Sequence, residues 1–378
     1  VRKREKKMGF TFQFIIRLFL TMLLSAILTP LIKLLAFKIG AVDAPGERRI
    51  NQKTMPTAGG LAIFLSFSLL ALWEFSSVLG FSNLSFVLLG ALIVVVTGLI
   101  DDIKELNPRQ KTLGITLASL VIYFWANIGF HTLSIPFIGV VEIGWLSLPM
   151  TIIWILAITN AVNLIDGLDG LAAGISIIAL ITMGLISYFF IPGNGVVLAI
   201  LIFSLIAAIV GFYPYNFYPA TIYLGDTGAL FLGFMIAVFS LQGLKNATFI
   251  SVMTPMFILG VPITDTVYAM IRRFFNKQSI SSPDKMHLHH RLLSLGFTHR
   301  GAVLTIYAMA LVFSFIALLM NYASTWATVL LVLSTLIGME LFIELIGLVG
   351  ENRQPLMKGL KFIGNRKYRQ EILEKRKK

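Results

Sequence analysis

The stretch Asn160-Ala161-Val162-Asn163-Leu164-Ile165-Asp166-Gly167-Leu168-Asp169-Gly170-Leu171-Ala172-Ala173-Gly174 joins two apolar runs, 147–164 and 171–191. Each run is long enough to cross hydrocarbon as a helix, which takes about 17–25 residues. Amides and carboxylates interleave with glycines where one run ends and the next begins. Glycine lets backbone turn sharply and approach a ligand closely. Asn and Asp supply hydrogen-bond partners suited to a nucleobase edge or to ribose hydroxyls. A helical membrane protein that meets a polar ligand at the bilayer surface is the expectation.

Reading outward in both directions, further apolar runs appear at 12–36, 61–79, 84–100, 112–129, 196–212, 228–243, 248–271, 301–321 and 324–349, making eleven predicted spans. Of 378 residues, 57% are apolar and 13% charged, with mean hydropathy +0.86. A soluble domain carries about 25% charge, so a cytosolic globule and a disordered chain are both excluded. The predicted organisation is an all-α polytopic membrane protein. It has a basic N-terminal arm (1–11), an eleven-span membrane domain (12–349) and a basic cytoplasmic tail (350–378). The first apolar run lacks a small-residue cleavage site, so no cleavable signal peptide is expected.

The charges are distributed unevenly. The segments 37–60, 101–111, 272–300 and the tail from 350 hold 23 of the 31 lysines and arginines. The internal loops of the opposite set hold only Lys245. The positive-inside rule makes the first set cytoplasmic, which leaves the arm with Arg2, Lys3, Arg4, Lys6 and Lys7 outside, against that rule. All eight aspartates (Asp43, Asp101, Asp102, Asp166, Asp169, Asp226, Asp265 and Asp284) lie in or beside the cytoplasmic set. Asp265 sits within the ninth span, and charge at membrane depth usually marks a pathway or a site. A catalytic face on the cytoplasmic side is expected. The net charge of +13 is read as basic loops against anionic lipid, with no nucleic-acid partner.

Four further motifs carry chemistry. Asp101-Asp102 ends the third span, where adjacent carboxylates repel unless a cation is near; an ordinary helix terminus would also read this way. Tyr223-Leu224-Gly225-Asp226-Thr227-Gly228 places a carboxylate at a helix start beside free N–H groups. That suits an Asp–Mg²⁺–diphosphate contact, although an N-cap aspartate would look the same. His287-Leu288-His289-His290-Arg291 follows Lys285 in a long loop and reads as an anion-binding segment. Pro56-Thr57-Ala58-Gly59-Gly60 follows Lys53 and Asp43 in the first cytoplasmic loop. Lys104 and Lys111 read as surface charge. The chain has no cysteine, so a metal would be held by oxygen or imidazole, and carboxylates favour a hard ion such as Mg²⁺.

In order and spacing, from Asp43 to the eleventh span, these motifs resemble the polyprenyl-phosphate N-acetylhexosamine-1-phosphate transferases, closest to the TagO/TarO and WecA branch. The resemblance implies that undecaprenyl phosphate attacks the β-phosphate of UDP-GlcNAc. The products would be undecaprenyl-diphospho-GlcNAc and UMP, the first membrane step of teichoic acid or other envelope polysaccharide synthesis. It implies Mg²⁺, with Mn²⁺ as a substitute, held by Asp226, and Asp101 and Asp102 as the catalytic pair. It assigns Asn163, Asp166, Asp169 and Lys53 to the nucleotide, and His287, His289, His290 and Arg291 to the diphosphate or sugar. Asp43 and Asp265 are further candidates, and a homodimer is expected. Two other readings stand beside it. One is the sibling MraY branch, which uses UDP-MurNAc-pentapeptide. The other is a divalent-cation transporter, which should show a midplane site within an internal repeat; no repeat is visible.

Overall fold

The computed structural model describes residues 12–44, 54–75, 83–135, 139–243, 249–275, 287–348, 354–365 and 370. Its helices in chain order are α1 (Phe12–Ile39), α2 (Gly60–Phe75), α3 (Leu84–Lys104), α4 (Pro108–Phe124), α5 (Ser147–Leu164), α6 (Leu171–Phe190) and α7 (Gly195–Asn216), then α8 (Gly225–Gly243), α9 (Phe249–Ile258), α10 (Gly260–Phe275), α11 (Leu288–Ser294), α12 (His299–Met320), α13 (Thr325–Ile346) and α14 (Pro355–Gly364). Two short antiparallel hairpins complete it: β1 (Val42–Asp43) with β2 (Met55–Pro56), and β3 (Thr132–Ile135) with β4 (Gly139–Glu142). Among the described residues, eight helices are long and apolar enough to cross a membrane: α1, α3, α5, α6, α7, α8, α12 and α13. The chain is an all-α polytopic membrane protein.

Helix α8 is the axis. Its apolar side chains from Ala229 to Leu241 are buried on every side, and α2, α3, α5 and α6 pack around it. A helix that is apolar all round has no solvent or lipid face to present, and burial at the centre follows. Helix α1 lies at the edge and reverses the pattern of a soluble protein. Thr21, Ser25 and Thr29 point inward, while Phe12, Phe19, Ile27 and Leu34 face outward. Small inward residues let backbones close up where lipid gives no hydrophobic drive for association. A Cβ on Gly211 of α7 would lie 2.1 Å from the carbonyl oxygen of Met22.

The predicted ninth span, 248–271, is divided. Helix α9 ends at Ile258 and α10 begins at Gly260. Pro262 has no N–H to return to the carbonyl four residues earlier, so the ladder loosens there. The segment 288–294, read from the sequence as loop, is helical, as is part of the tail. Because successive spans alternate in direction, the starts of α2, α4, α6 and α8 gather at one end with the finishes of α1, α3, α5 and α7. The β1–β2 hairpin shares that end, and the β3–β4 hairpin lies at the other.

Candidate active site

The start of α8 is the point from which the site is built. Pro56 to Gly60 runs beside Tyr223 and Leu224: Tyr223 N–H donates to Pro56 O (2.9 Å), Gly59 N–H to Tyr223 O (3.0 Å) and Gly60 N–H to Leu224 O (3.0 Å). This ties the first turn of α2 to the first turn of α8. A Cβ on Gly60 would stand 2.0 Å from Gly228 Cα, so only glycine permits the contact.

Asp102, from the end of α3, caps α8 across the bundle. Its carboxylate accepts from Asp226 N–H (3.0 Å), Thr227 N–H (3.1 Å) and the Thr227 hydroxyl (2.5 Å). Anionic oxygen at a helix N-terminus satisfies orphan N–H groups and meets the positive end of the dipole. Asp101, 5% exposed, accepts from Leu106 N–H (2.6 Å) and from Lys111 Nζ (2.5 Å). Lys111 Nζ also lies 2.8 Å from Asp226 Oδ2. The expectation of surface charge for Lys111 is corrected here: the residue bridges two carboxylates from different elements. Its signal in the sequence was its place one turn into the helix after Asp101-Asp102, on the side that turns back towards them.

The turn between α5 and α6 brings the second half of the site. Asp169 accepts from Ala220 N–H (2.9 Å), and its own N–H donates to His299 Nε2 (3.1 Å). His299 stacks on Tyr218 with ring centroids 4.4 Å apart. Among the described residues, the Asn163 side chain and the Asp166 carboxylate make no hydrogen bond. Burial, followed by the charges of Asp102 and Asp169, pushes the Asp166 carboxyl up to about 7. Tyr223 is pushed up to about 12 by burial and then by Asp169 and Asp43, which puts Asp43 at the same margin. Lys53 lies outside the described residues.

The histidine segment closes over this turn. A Cβ on Gly167 would sit 2.2 Å from His289 Nε2. Asp265, 3% exposed, receives Leu288 N–H (2.8 Å) on Oδ1 and lies 2.9 Å from His287 Nδ1 through Oδ2. Its depth in the span therefore serves to fix the histidine segment. Burial and the neighbouring His290 push His289 down to about 3. His289 is therefore a neutral imidazole at pH 7, so what it can offer an anion is a ring N–H and not a charge. Its ring lies 4.2 Å from that of His290. Arg291 Nε donates to Ile346 O at the end of α13 (2.5 Å), which pins the segment from the other side.

The end of the bundle thus gathers Asp101, Asp102, Asp166, Asp169 and Asp226 with Lys111, Asn163 and His289. The donor set fits Mg²⁺. It consists of hard oxygens, and the Asp166 carboxyl, raised first by burial, also feels the nearby carboxylates of Asp102 and Asp169. No group of three carboxylates or imidazoles converges as a complete cage among the described residues. Mg²⁺ rarely needs one, since it is commonly held by one or two carboxylates together with substrate phosphates.

The model for glycosyl transferase family 4 matches residues 84–244, which carry α3 to α8 and so most of this constellation. A probable undecaprenyl-phosphate N-acetylglucosaminyl 1-phosphate transferase of Bacillus subtilis is 41% identical over 348 residues, 91% of this chain and 95% of that one. The chain belongs to glycosyl transferase family 4. Its similarity to other family members is spread more thinly. A decaprenyl-phosphate N-acetylglucosaminephosphotransferase of Mycobacterium tuberculosis is 35% identical over 306 residues, 73% of this chain and 74% of that protein. A phospho-N-acetylmuramoyl-pentapeptide-transferase of Halalkalibacterium halodurans is 30% identical over 322 residues, 82% of this chain and 95% of that one. As a family 4 member the chain is a membrane-embedded transferase.

Proposed function

We propose that this family 4 transferase moves GlcNAc-1-phosphate from UDP-GlcNAc to undecaprenyl phosphate, releasing UMP, as the first membrane step of an envelope polysaccharide such as teichoic acid. The observation that carries the reaction type is the meeting of Lys111, Asp226 and the open Asn163–Asp166 turn at one end of the bundle. The choice of sugar and lipid is supported by the Bacillus subtilis relative, which matches over nearly its whole length. The abundance of Lys and Arg at this end supports a cytoplasmic orientation, where a nucleotide sugar would be met.

In this reading an oxygen of the lipid phosphate attacks the β-phosphorus of UDP-GlcNAc, and the bond from that phosphorus to the bridging oxygen breaks. Phosphoryl transfer of this kind depends on positioning and charge neutralisation more than on covalent help from the protein. Lys111 supplies fixed positive charge. Asp102 holds the first turn of α8 so that Asp226 is presented, and both its oxygens are committed to that task. Asp101 orients Lys111. Asn163 offers an uncommitted amide to the nucleotide, and His289 an uncharged ring beside Gly167. Asp226 would hold Mg²⁺, which when bound would screen the phosphate oxygens and stabilise the departing UMP.

Purified protein incubated with undecaprenyl phosphate and a panel of UDP-sugars tests the proposal through UMP release. UMP is expected from UDP-GlcNAc with Mg²⁺ and not with EDTA. Turnover of UDP-MurNAc-pentapeptide in its place would move the chain to the activity named for the Halalkalibacterium relative. No release from any sugar would overturn the reaction itself.

A further inference from the structure

Helix α14 follows α13 at the end of the bundle that carries the site, and a single buried side chain fixes it there. Glu344, 2% exposed in the last turn of α13, accepts Leu356 N–H on Oε1 (2.8 Å) and Met357 N–H on Oε2 (2.7 Å). Gln354 Nε2 donates to the Glu344 carbonyl (2.9 Å). The first turn of α14 is therefore held beside the last turn of a membrane helix. Outward-facing Leu330, Leu333, Leu336, Ile337 and Leu345 mark α13 as lipid-facing along its length.

The sequence of α14 is Pro355-Leu356-Met357-Lys358-Gly359-Leu360-Lys361-Phe362-Ile363-Gly364. Leu356, Leu360 and Ile363 recur at i, i+4 and i+7 and so form one stripe. They are 38%, 52% and 74% exposed. Lys358 and Lys361 lie on the other side of the helix. An apolar stripe opposite lysines, anchored at the level where a spanning helix leaves the bilayer, has the form of a helix lying in the membrane interface.

The geometry points to α14 as an interfacial helix whose apolar stripe enters the bilayer beside α13 and whose lysines engage anionic phospholipid headgroups. The occupant follows from charge complementarity and from continuity with the lipid-facing surface of α13. Each lysine near an anionic surface contributes attraction that fades within a Debye length. The helix is too short to bind strongly on its apolar stripe alone, so the hydrogen bonds to Glu344 supply the placement and the lipid supplies the cover.

The chain has no cysteine, which makes a site-specific test direct. Ile363→Cys on the stripe and Lys361→Cys on the opposite side are labelled with an environment-sensitive fluorophore. The full-length protein is then placed in vesicles of phosphatidylcholine alone or with phosphatidylglycerol. At position 363 the expected result is severalfold stronger quenching by a lipid-borne spin label than by aqueous iodide. The opposite order is expected at 361. Lipid quenching at 363 should increase with phosphatidylglycerol and weaken at high salt. Equal iodide quenching at both positions would overturn the proposal. So would shielding of position 363 from both quenchers, because the stripe would then be covered by protein. Leu360→Cys repeats the test should the Ile363→Cys protein fail to assemble.

Discussion

Lys111 Nζ reaches Asp101 at 2.5 Å and Asp226 at 2.8 Å, and those two carboxylates arrive on α3 and α8. Replacing it by Met keeps the stem and deletes the charge, leaving both carboxylates without that partner. Removing one preorganised electrostatic group from a reacting centre typically costs about 10²–10³ in rate. Lys111→Met is therefore expected to lower kcat/KM by roughly that factor in a UMP-release assay. Activity within threefold of the parent would return Lys111 to the surface-charge role. Asp226→Asn should bring turnover close to zero, since a neutral amide is a poor Mg²⁺ ligand. Asp166 gives a pH signature that needs no substrate. Its carboxyl is pushed up to about 7 in the fold, against 3.8 for an ordinary aspartate. The folded state therefore holds this proton more tightly than the unfolded chain does. The stabilisation it represents is complete below about pH 4 and is lost as pH rises through 7, with a slope of at most about 1.4 kcal/mol per pH unit. In EDTA the melting temperature should fall between about pH 4 and pH 7 and level off above that. Asp166→Asn should flatten that fall. An unchanged slope in the Asn variant would assign the titration to another group.

At the scale of elements, the glycine contact between α2 and α8 is the tightest joint near the site. A Cβ on Gly60 would run into the backbone of α8, 2.0 Å from Gly228 Cα and 2.8 Å from the Thr227 carbonyl carbon. Backbone cannot yield as a flexible side chain does, so Gly60→Ala should force α2 away from α8. A stability loss above about 3 kcal/mol, in the range of severe overpacking, is expected as a lowered melting temperature in detergent. The motif Pro56–Gly60 was legible as part of a site, but its reason was not, because close approach between distant segments leaves no periodic trace. The same holds for Asp102. Its sequence context allowed a metal site or a helix end, and the structure uses it as the cap of a different helix. The spans were readable because twenty apolar residues in a row have few alternatives. The division at Leu259 was not, since Pro within a membrane helix is tolerated when neighbours satisfy the freed carbonyl. Helix α11 is seven residues long, and His287 and His289 are buried there by packing that no local pattern encodes.

For the whole molecule, one prediction joins fold to orientation. The site is assembled at the end where α3 finishes and α4 begins, and Lys104, Arg109 and Lys111 lie within that junction. The opposite end is represented by the exposed turn between α6 and α7, which contains Asn194. The positive-inside rule assigns the first end to the cytoplasm. A nucleotide sugar and a phosphate-bearing lipid would then meet where basic residues offset their charges. Asn107→Cys and Asn194→Cys in this cysteine-free chain separate the two ends. Asn107 stands at the N-cap of α4 without a side-chain hydrogen bond to the helix, and its backbone N–H donates to Gln110 Oε1 (2.9 Å), a contact that cysteine keeps. In intact cells an impermeant thiol reagent is expected to label position 194 and to label position 107 only after permeabilisation. Labelling of position 107 from outside would place the carboxylates and Lys111 away from the nucleotide pool. The proposed reaction could not then proceed in the cell, whatever the purified protein did with UDP-GlcNAc. The membrane orientation and the chemistry therefore stand or fall on separate measurements.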